Sequence, residues 1–135
     1  MNSREEIKTI GAPRALGAYA QGVRFGNFVF LSGQLPLNTK NMQLIEGDFK
    51  SQVLQVFSNL EALAEAAEST MADLIKLTVY LTNLENFHVV NEVMSEVLVP
   101  PYPARTTVGV NALPKGAEIE IDAILWSPTK SSYNS

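Results

Sequence analysis

The residues best suited to chemistry in this 135-residue chain are the cation Arg105 and the carboxylate Glu120. Each lies in a segment that alternates polar and apolar side chains, 105–110 and 118–123, which is the two-residue period of a β-strand. The residues between them, 111–116, include a proline and a glycine and predict a turn. The whole stretch therefore predicts an antiparallel β-hairpin.

The alternation also predicts which side chains share a face of this hairpin. If the apolar rows of both strands are buried together, Arg105 and Thr107 lie on the other face beside Glu120. Arg105 is then opposite Glu120 or, in a shifted register, opposite Asp122. Such a pair can bind an acidic substrate and manage a proton. It can equally be a cross-strand ion pair on a solvated face, which contributes about 0–1 kcal/mol, and the residues alone favour this second interpretation.

Composition narrows the class of protein. The length predicts one domain, and 46% hydrophobic with 18% charged residues is typical of a soluble globular chain. No apolar run approaches the roughly 20 residues of a membrane span, and the first residues lack the pattern of a secretory signal. The chain has no cysteine, so disulfides and thiolate metal sites are excluded. We therefore expect a cytoplasmic protein without a membrane partner.

Charge and the single histidine exclude further functions. The net charge of −4 argues against a nucleic-acid binder that depends on a broad basic surface, although it permits a local cationic pocket around Arg105. His88 is the only histidine, and it cannot anchor an ordinary zinc site by itself. No nucleophile motif accompanies it to make a catalytic triad. We expect His88 at the surface near the start of a helix.

The first third of the chain predicts strands and one loop. A short strand covers 5–10, and a loop with glycine and proline follows and leads to Tyr19. After a tight turn at 26–27, residues 28–31 are all apolar and predict a strand that is covered on both faces. The run ends at Ser32-Gly33, where glycine allows a ligand or another chain to approach the backbone. A simple strand end or bulge is the commoner meaning of such a glycine.

The middle of the chain predicts two helices around a strand. Asp48 is a good N-cap for a helix of roughly 20 residues with apolar positions at helical spacing. Residues 74–83 alternate as a strand, and a second helix runs over 87–98 until prolines end it. Asn91 lies within that second helix, where an asparagine is most often exposed.

This order of elements predicts an α+β fold with two helices packed on one face of a mostly antiparallel sheet. We expect one domain over 1–127 and a mobile tail over 128–135. The other face of the sheet is too apolar for open water, because it carries four aromatic side chains: Phe28, Phe30, Tyr80 and Trp126. Large apolar patches usually mark a partner surface, so we expect a homo-oligomer packed through the sheet.

Five short segments, in order over nearly the whole chain, match a known pattern: 17–22 (GAYAQG), 31–36 (LSGQLP), 90–91 (VN), 103–106 (PART) and 113–121 (LPKGAEIEI). With them the chain resembles the RidA/YjgF family of reactive-intermediate deaminases. The resemblance implies a chorismate-mutase-like fold and a homotrimer with clefts between subunits. It implies hydrolysis of enamines and imines such as 2-aminoacrylate and 2-aminocrotonate to 2-keto acids and ammonia. It also implies that neither a metal nor an organic cofactor is needed.

The resemblance assigns roles residue by residue. Arg105 matches the arginine that clamps the substrate carboxylate, a task that suits its planar fork. Glu120 matches the glutamate that orients or activates water and passes protons. The remaining matches line the cleft. Tyr19 matches a catalytic residue that comes from the neighbouring subunit, and the others are Ser32, Asn91 and the backbone N–H of Gly33.

Two positions depart from the family pattern. Thr107 replaces a frequent cysteine, so a thiol contribution is absent while a hydroxyl can still hold a water. Ala18 replaces a frequent proline before Tyr19. Two rival functions remain beside the deaminase: a non-catalytic trimer that binds small 2-keto acids through Arg105, and an RNA-directed ribonuclease or translation inhibitor. The acidic charge and the single histidine weigh against the RNA-directed role.

Overall fold

A six-stranded sheet with two helices forms the fold of the computed structural model, which describes residues 3–128. The strand order is β1-β2-β3-β6-β4-β5, and every pair is antiparallel except β4 with β5. The elements have these bounds: β1 Glu5–Ile7, β2 Gly22–Phe25, β3 Phe28–Gln34, α1 Phe49–Ala66, β4 Leu74–Leu81, α2 Phe87–Val97, β5 Ala104–Gly109 and β6 Ile119–Trp126. The predicted α+β architecture is confirmed.

Local capping explains where α1 begins and ends. The Asp48 side chain accepts a hydrogen bond from the backbone N–H of Ser51 at 2.9 Å, which confirms the predicted N-cap. The helix ends at Ala66, slightly earlier than expected. Beyond it, the buried Arg24 guanidinium donates a 2.6 Å hydrogen bond to the carbonyl of Ala67. That contact ties β2 to the end of α1.

The core lies between the two helices and one face of the sheet. Its centre is a set of side chains with no exposed surface: Val53, Val56, Leu60 and Leu63 of α1, Leu77, Val79 and Leu81 of β4, and Ile119, Ile121 and Leu125 of β6. In β4, Ile75 is 39% exposed and lies outside this core. The register of β4 shifts between Leu74 and Lys76, so Leu74 takes its place in the core.

The predicted hairpin of 105–110 with 118–123 is wrong. Strand β4 lies between β5 and β6, and β5 is an edge strand that runs parallel to β4 after the crossover through α2. The physical reason is burial: β4 is rich enough in apolar side chains for the interior of the sheet, whereas the mixed rows of β5 suit an edge. Residues 111–118 therefore pass the end of β4 instead of forming a tight turn.

The corrected register separates the two candidate catalytic side chains. Arg105 is paired with Leu77, and Leu77 is paired with Ala123, so Arg105 lies on the face that carries the helices. Glu120 is paired with Tyr80 and lies on the open face. Paired residues on neighbouring strands point to the same side. Arg105 and Glu120 therefore point to opposite sides of the sheet, contrary to the prediction that they share a face.

The open face is apolar over the strands β2, β3 and β6. Phe28 and Phe30 are 48% and 46% exposed and Trp126 is 43% exposed, while Val29 and Leu31 are buried on the other face. The expectation that residues 28–31 are covered on both faces is therefore wrong for a single protomer.

The predicted tail, 128–135, lies outside the described residues except for Pro128. No helix in the described part of the chain has the length and apolar character needed to cross a bilayer.

Candidate active site

A cleft of about 420 Å³ lies where the end of β3 meets β6. Four predicted site residues line it: Tyr19, Ser32, Gly33 and Glu120. Gln34 and Lys115, which the sequence did not single out, line it as well. The register of β3 against β6 shifts between Leu31 and Gln34, which opens the pairing at this point. We name this the glutamate cleft.

Gly33 is required for the position of the Glu120 side chain. A Cβ atom built on Gly33 would overlap the Glu120 carboxylate and would lie 2.8 Å from its Cδ. The absence of a side chain therefore lets the carboxylate lie directly against the backbone of β3. The strand irregularity that the sequence favoured is present at this glycine, and the group that approaches its backbone is the Glu120 side chain of the same chain.

Glu120 is half-buried, and its environment favours the protonated form. Burial, followed by the negative charge of Asp122, raises the pKa of the Glu120 carboxyl. Asp122 is half-buried and accepts a 3.1 Å hydrogen bond from the Tyr80 hydroxyl. A carboxyl group with a raised pKa is suited to accept and return protons.

A buried glutamine supports the loop that delivers Tyr19. Gln21 is 5% exposed, and its Nε2 donates to the carbonyl of Pro13 at 2.7 Å while its Oε1 accepts from the N–H of Thr9 at 2.8 Å. Ser32 adds a tie, because its hydroxyl donates to the carbonyl of Ala20 at 2.6 Å. These bonds hold both sides of the glutamate cleft, whereas Tyr19 itself is 56% exposed at its rim.

A second cleft of about 400 Å³ lies on the helix side of β5 and includes Arg105 and Asn91. Arg105 Nη1 donates to Asn91 Oδ1 at 2.6 Å, and the guanidinium lies 4.7 Å from the ring centroid of Phe87. Among the ion pairs of the described residues, none joins Arg105 to Glu120 or Asp122. The surface ion pair that the sequence favoured is therefore wrong. We name this the arginine cleft.

Thr107 belongs to the arginine side of the sheet. It is paired with Val79, so its side chain lies on the same face as that of Arg105. Its hydroxyl oxygen is buried and has no hydrogen-bond partner among the described residues. A buried hydroxyl without a partner is costly, so it is an available group for a bound water or ligand.

One protomer thus brings the predicted site residues together in two separate groups. Tyr19, Ser32, Gly33 and Glu120 line the glutamate cleft, while Asn91 and Arg105 line the arginine cleft. The two clefts share no lining residue and lie on opposite sides of the sheet. The pairing of Asn91 with Arg105 was not predicted from the spacing of the two residues, since it depends on how α2 packs against β5.

Comparison with known proteins places this fold in a family. The family model described as Endoribonuclease L-PSP matches residues 9–126. The chain belongs to the RidA/YjgF family. It is 38% identical over 125 residues to the 2-iminobutanoate/2-iminopropanoate deaminase of Dermatophagoides farinae, covering 93% of this chain and 98% of that protein. It is 42% identical over 123 residues to a RutC family protein of Pyrococcus horikoshii, covering 91% and 98%.

Solved structures agree with this assignment. RidA from the Antarctic bacterium Psychrobacter sp. PAMC 21119 superposes with a TM-score of 0.87 at 48% identity, over 90% of this chain and 98% of that one. The structure of E. coli TdcF with bound serine superposes with a TM-score of 0.84 at 37% identity, over 90% and 98%. The chorismate-mutase-like fold implied by the sequence resemblance is confirmed.

Proposed function

We propose that this protein hydrolyses enamines and imines of 2-amino acids, such as 2-aminoacrylate and 2-aminocrotonate, to 2-keto acids and ammonia. The observation that carries the proposal is the state of Arg105. It is held by Asn91 and Phe87, which are uncharged, and no ion pair within residues 3–128 joins it to Glu120 or Asp122. A planar guanidinium held in this way is suited to bind a substrate carboxylate through two hydrogen bonds. The deaminase relative supports the same chemistry.

The reaction needs few groups because an imine carbon is already electrophilic. Glu120 accepts a proton from a water whose oxygen forms a bond to that carbon, and it returns this proton to the nitrogen as the C=N bond becomes a C–N single bond. Glu120 then takes the proton of the new hydroxyl as the carbonyl forms and the C–N bond breaks, and it passes this second proton to the nitrogen, which departs as ammonia. Arg105 keeps the carboxylate in place through both steps. Tyr19, Ser32 and the N–H of Gly33 line the cleft around the reacting atoms.

Arg105 and Glu120 act on one substrate only if two copies of the chain combine. They point to opposite sides of one sheet, so we propose that the arginine cleft of one copy meets the glutamate cleft of the next. Joining two different surfaces in this way is a head-to-tail contact, and we propose that it closes into a ring, as such contacts do when the rotation between copies permits. The apolar open face, with Phe28, Phe30 and Trp126 exposed, offers the area for such an assembly. The family resemblance implies that this ring is a homotrimer.

The proposal is tested by generating 2-aminoacrylate with a serine dehydratase and following pyruvate with and without this protein. We expect faster pyruvate formation, and we expect Arg105→Ala to lower kcat/KM roughly 10- to 100-fold, because a charge-assisted hydrogen bond to the carboxylate is lost. Arg4→Ala removes the same charge at an exposed residue outside both clefts and serves as the control. Equal acceleration by wild type and Arg105→Ala would contradict the proposal.

A non-catalytic binding role is the second candidate, favoured by a relative whose structure holds bound serine. It predicts that 2-ketobutyrate binds with heat detectable by calorimetry and that no imine is turned over. Arg105→Ala would abolish that heat.

The family description also names an endoribonuclease. The net charge of −4 weighs against that role, and absence of RNA binding at low salt would dismiss it.

A further inference from the structure

Three acidic groups occupy adjacent positions on the open face of the sheet. Tyr80 of β4 is directly opposite Glu120 of β6 in the strand register. Asp122 follows Glu120 by two residues on the same strand, so both side chains point to the same face. The Tyr80 hydroxyl reaches diagonally to Asp122 Oδ2, to which it donates a 3.1 Å hydrogen bond.

We propose that Tyr80 and Asp122 are a positioning pair that controls the proton on Glu120. The proposal rests on the proposed function for the role of Glu120 in turnover, but its central statement concerns the titration of one carboxyl group. Asp122 supplies a fixed negative charge next to Glu120, and Tyr80 holds the Asp122 carboxylate in place. Neither residue needs to touch the substrate.

The contacts explain why the pair acts in one direction. A neighbouring negative charge disfavours ionisation of a carboxyl group, and the charge of Asp122 contributes after burial to the raised pKa of Glu120. Burial, and then the hydrogen bond to Asp122, also raises the pKa of the Tyr80 phenol. Tyr80 therefore keeps its proton and remains a donor to Asp122 across the pH range in which Glu120 titrates.

Other ionisable groups face Glu120 from its surroundings, and they define the controls. Strand β3 presents Phe28 and Phe30 on this face and β5 presents Thr106 and Val108, none of which titrates. The groups that do titrate are Lys76 on β4, which is separated from Tyr80 by Thr78 in the same row, and Tyr19, Arg14 and Lys115 around the glutamate cleft. Asp122 is the charged neighbour that raises the pKa of Glu120, and none of these other groups takes over that effect.

The sequence offers a matched control on the same segment. Glu118 precedes Glu120 by two residues, as Asp122 follows it by two, but Glu118 is exposed and lies just outside β6. Glu118 is not among the causes of the raised Glu120 pKa. Removing either charge with an amide changes the net charge by the same amount. Only the removal of the Asp122 charge is expected to change Glu120.

The experiment is a titration of the Glu120 carboxyl by ¹³C NMR in full-length protein labelled at glutamate, with Glu120→Gln used to assign the signal. We expect Asp122→Asn to lower the pH at which Glu120 titrates, because a neighbouring negative charge is gone. Glu118→Gln leaves the titration unchanged, and Asp122→Glu, which restores the charge, returns it towards the wild-type position. Tyr80→Phe keeps the charge but removes the hydrogen bond that holds the Asp122 carboxylate, so the titration of Glu120 moves part of the way towards its position in Asp122→Asn.

The same variants are then compared in the pyruvate assay. If Glu120 works as a base, the acid limb of kcat/KM moves to lower pH in Asp122→Asn and stays in place in Glu118→Gln. An unchanged Glu120 titration in Asp122→Asn, or an equal shift in Glu118→Gln, overturns the positioning pair. A shifted titration in a protein without turnover supports the pair and overturns the proposed function, so the two failures are distinguishable.

Discussion

At the scale of single residues, Gly33 is the position where the smallest change has the largest expected effect on function. We expect Gly33→Ala to reduce kcat roughly 100-fold, because its Cβ displaces the Glu120 carboxylate and a misplacement of about 1 Å costs about that much. The atoms that must move are the end of a flexible side chain, so we expect little change in melting temperature. The measurements are kcat in the pyruvate assay and a thermal melt.

Gly17→Ala is the matched control for this substitution. A Cβ on Gly17 meets only the ring of Tyr19, at an ordinary contact distance of 3.6 Å. We expect it to change kcat far less than Gly33→Ala does. If Gly33→Ala kept full activity, the approach of Glu120 to the β3 backbone would have no catalytic meaning.

At the scale of elements, a buried asparagine joins α1 to the segment that borders the glutamate cleft. Asn59 is 1% exposed, and its Nδ2 donates to the carbonyls of Leu35 and Leu37 at 3.1 and 3.2 Å. We expect Asn59→Ala to lower the free energy of unfolding by about 1–3 kcal/mol, since these buried carbonyls lose their donor. Urea denaturation measures the change.

Ser58→Ala is the control for Asn59→Ala, because it introduces the same residue at the preceding position of α1, where the side chain is exposed. We expect a change within about 0.5 kcal/mol, as for most surface substitutions. If the two variants unfolded at the same urea concentration, the hydrogen bonds of Asn59 would make no net contribution to stability.

The elements differ in how far the sequence predicts them. The start of α1, the 26–27 turn and the alternation of β6 depend on nearby residues, and the structure has them as predicted. Asn59 also had a local signal, because it lies three residues after Val56 and four before Leu63 on the buried stripe. No local signal identified the strand that pairs with β5, because the position of β4 between β5 and β6 depends on contacts between residues distant in sequence.

The same distinction applies to the candidate site. Residue types in short motifs indicated Tyr19, Ser32, Gly33 and Glu120, which line one cleft. They are separated from Arg105 because β5 pairs with β4 instead of β6, and this pairing places the Arg105 side chain on the opposite face of the sheet from Glu120. Alternation within a strand predicts two faces, but only the neighbouring strand decides which of them is buried.

At the scale of the whole molecule, the opposite orientations of Arg105 and Glu120 make the proposed site a property of the assembly. A site that takes Arg105 from one copy and Glu120 from the next is damaged by either substitution, but the two defects fall on different copies. Arg105→Ala and Glu120→Gln are each expected to retain at most about a tenth of wild-type activity alone, in line with the loss of a charge-assisted contact. A mixed assembly nevertheless contains some sites in which both contributing residues are intact.

Mixing the two variants therefore tests the arrangement directly. In a ring assembled at random from equal amounts of both, each site has an intact Arg105 with probability one half and an intact Glu120 with the same probability, so about a quarter of wild-type activity returns. Denaturing and refolding the variants together, with each variant refolded alone as the control, provides the measurement. If both residues acted from one copy, every site would lack one of them and mixing would restore nothing.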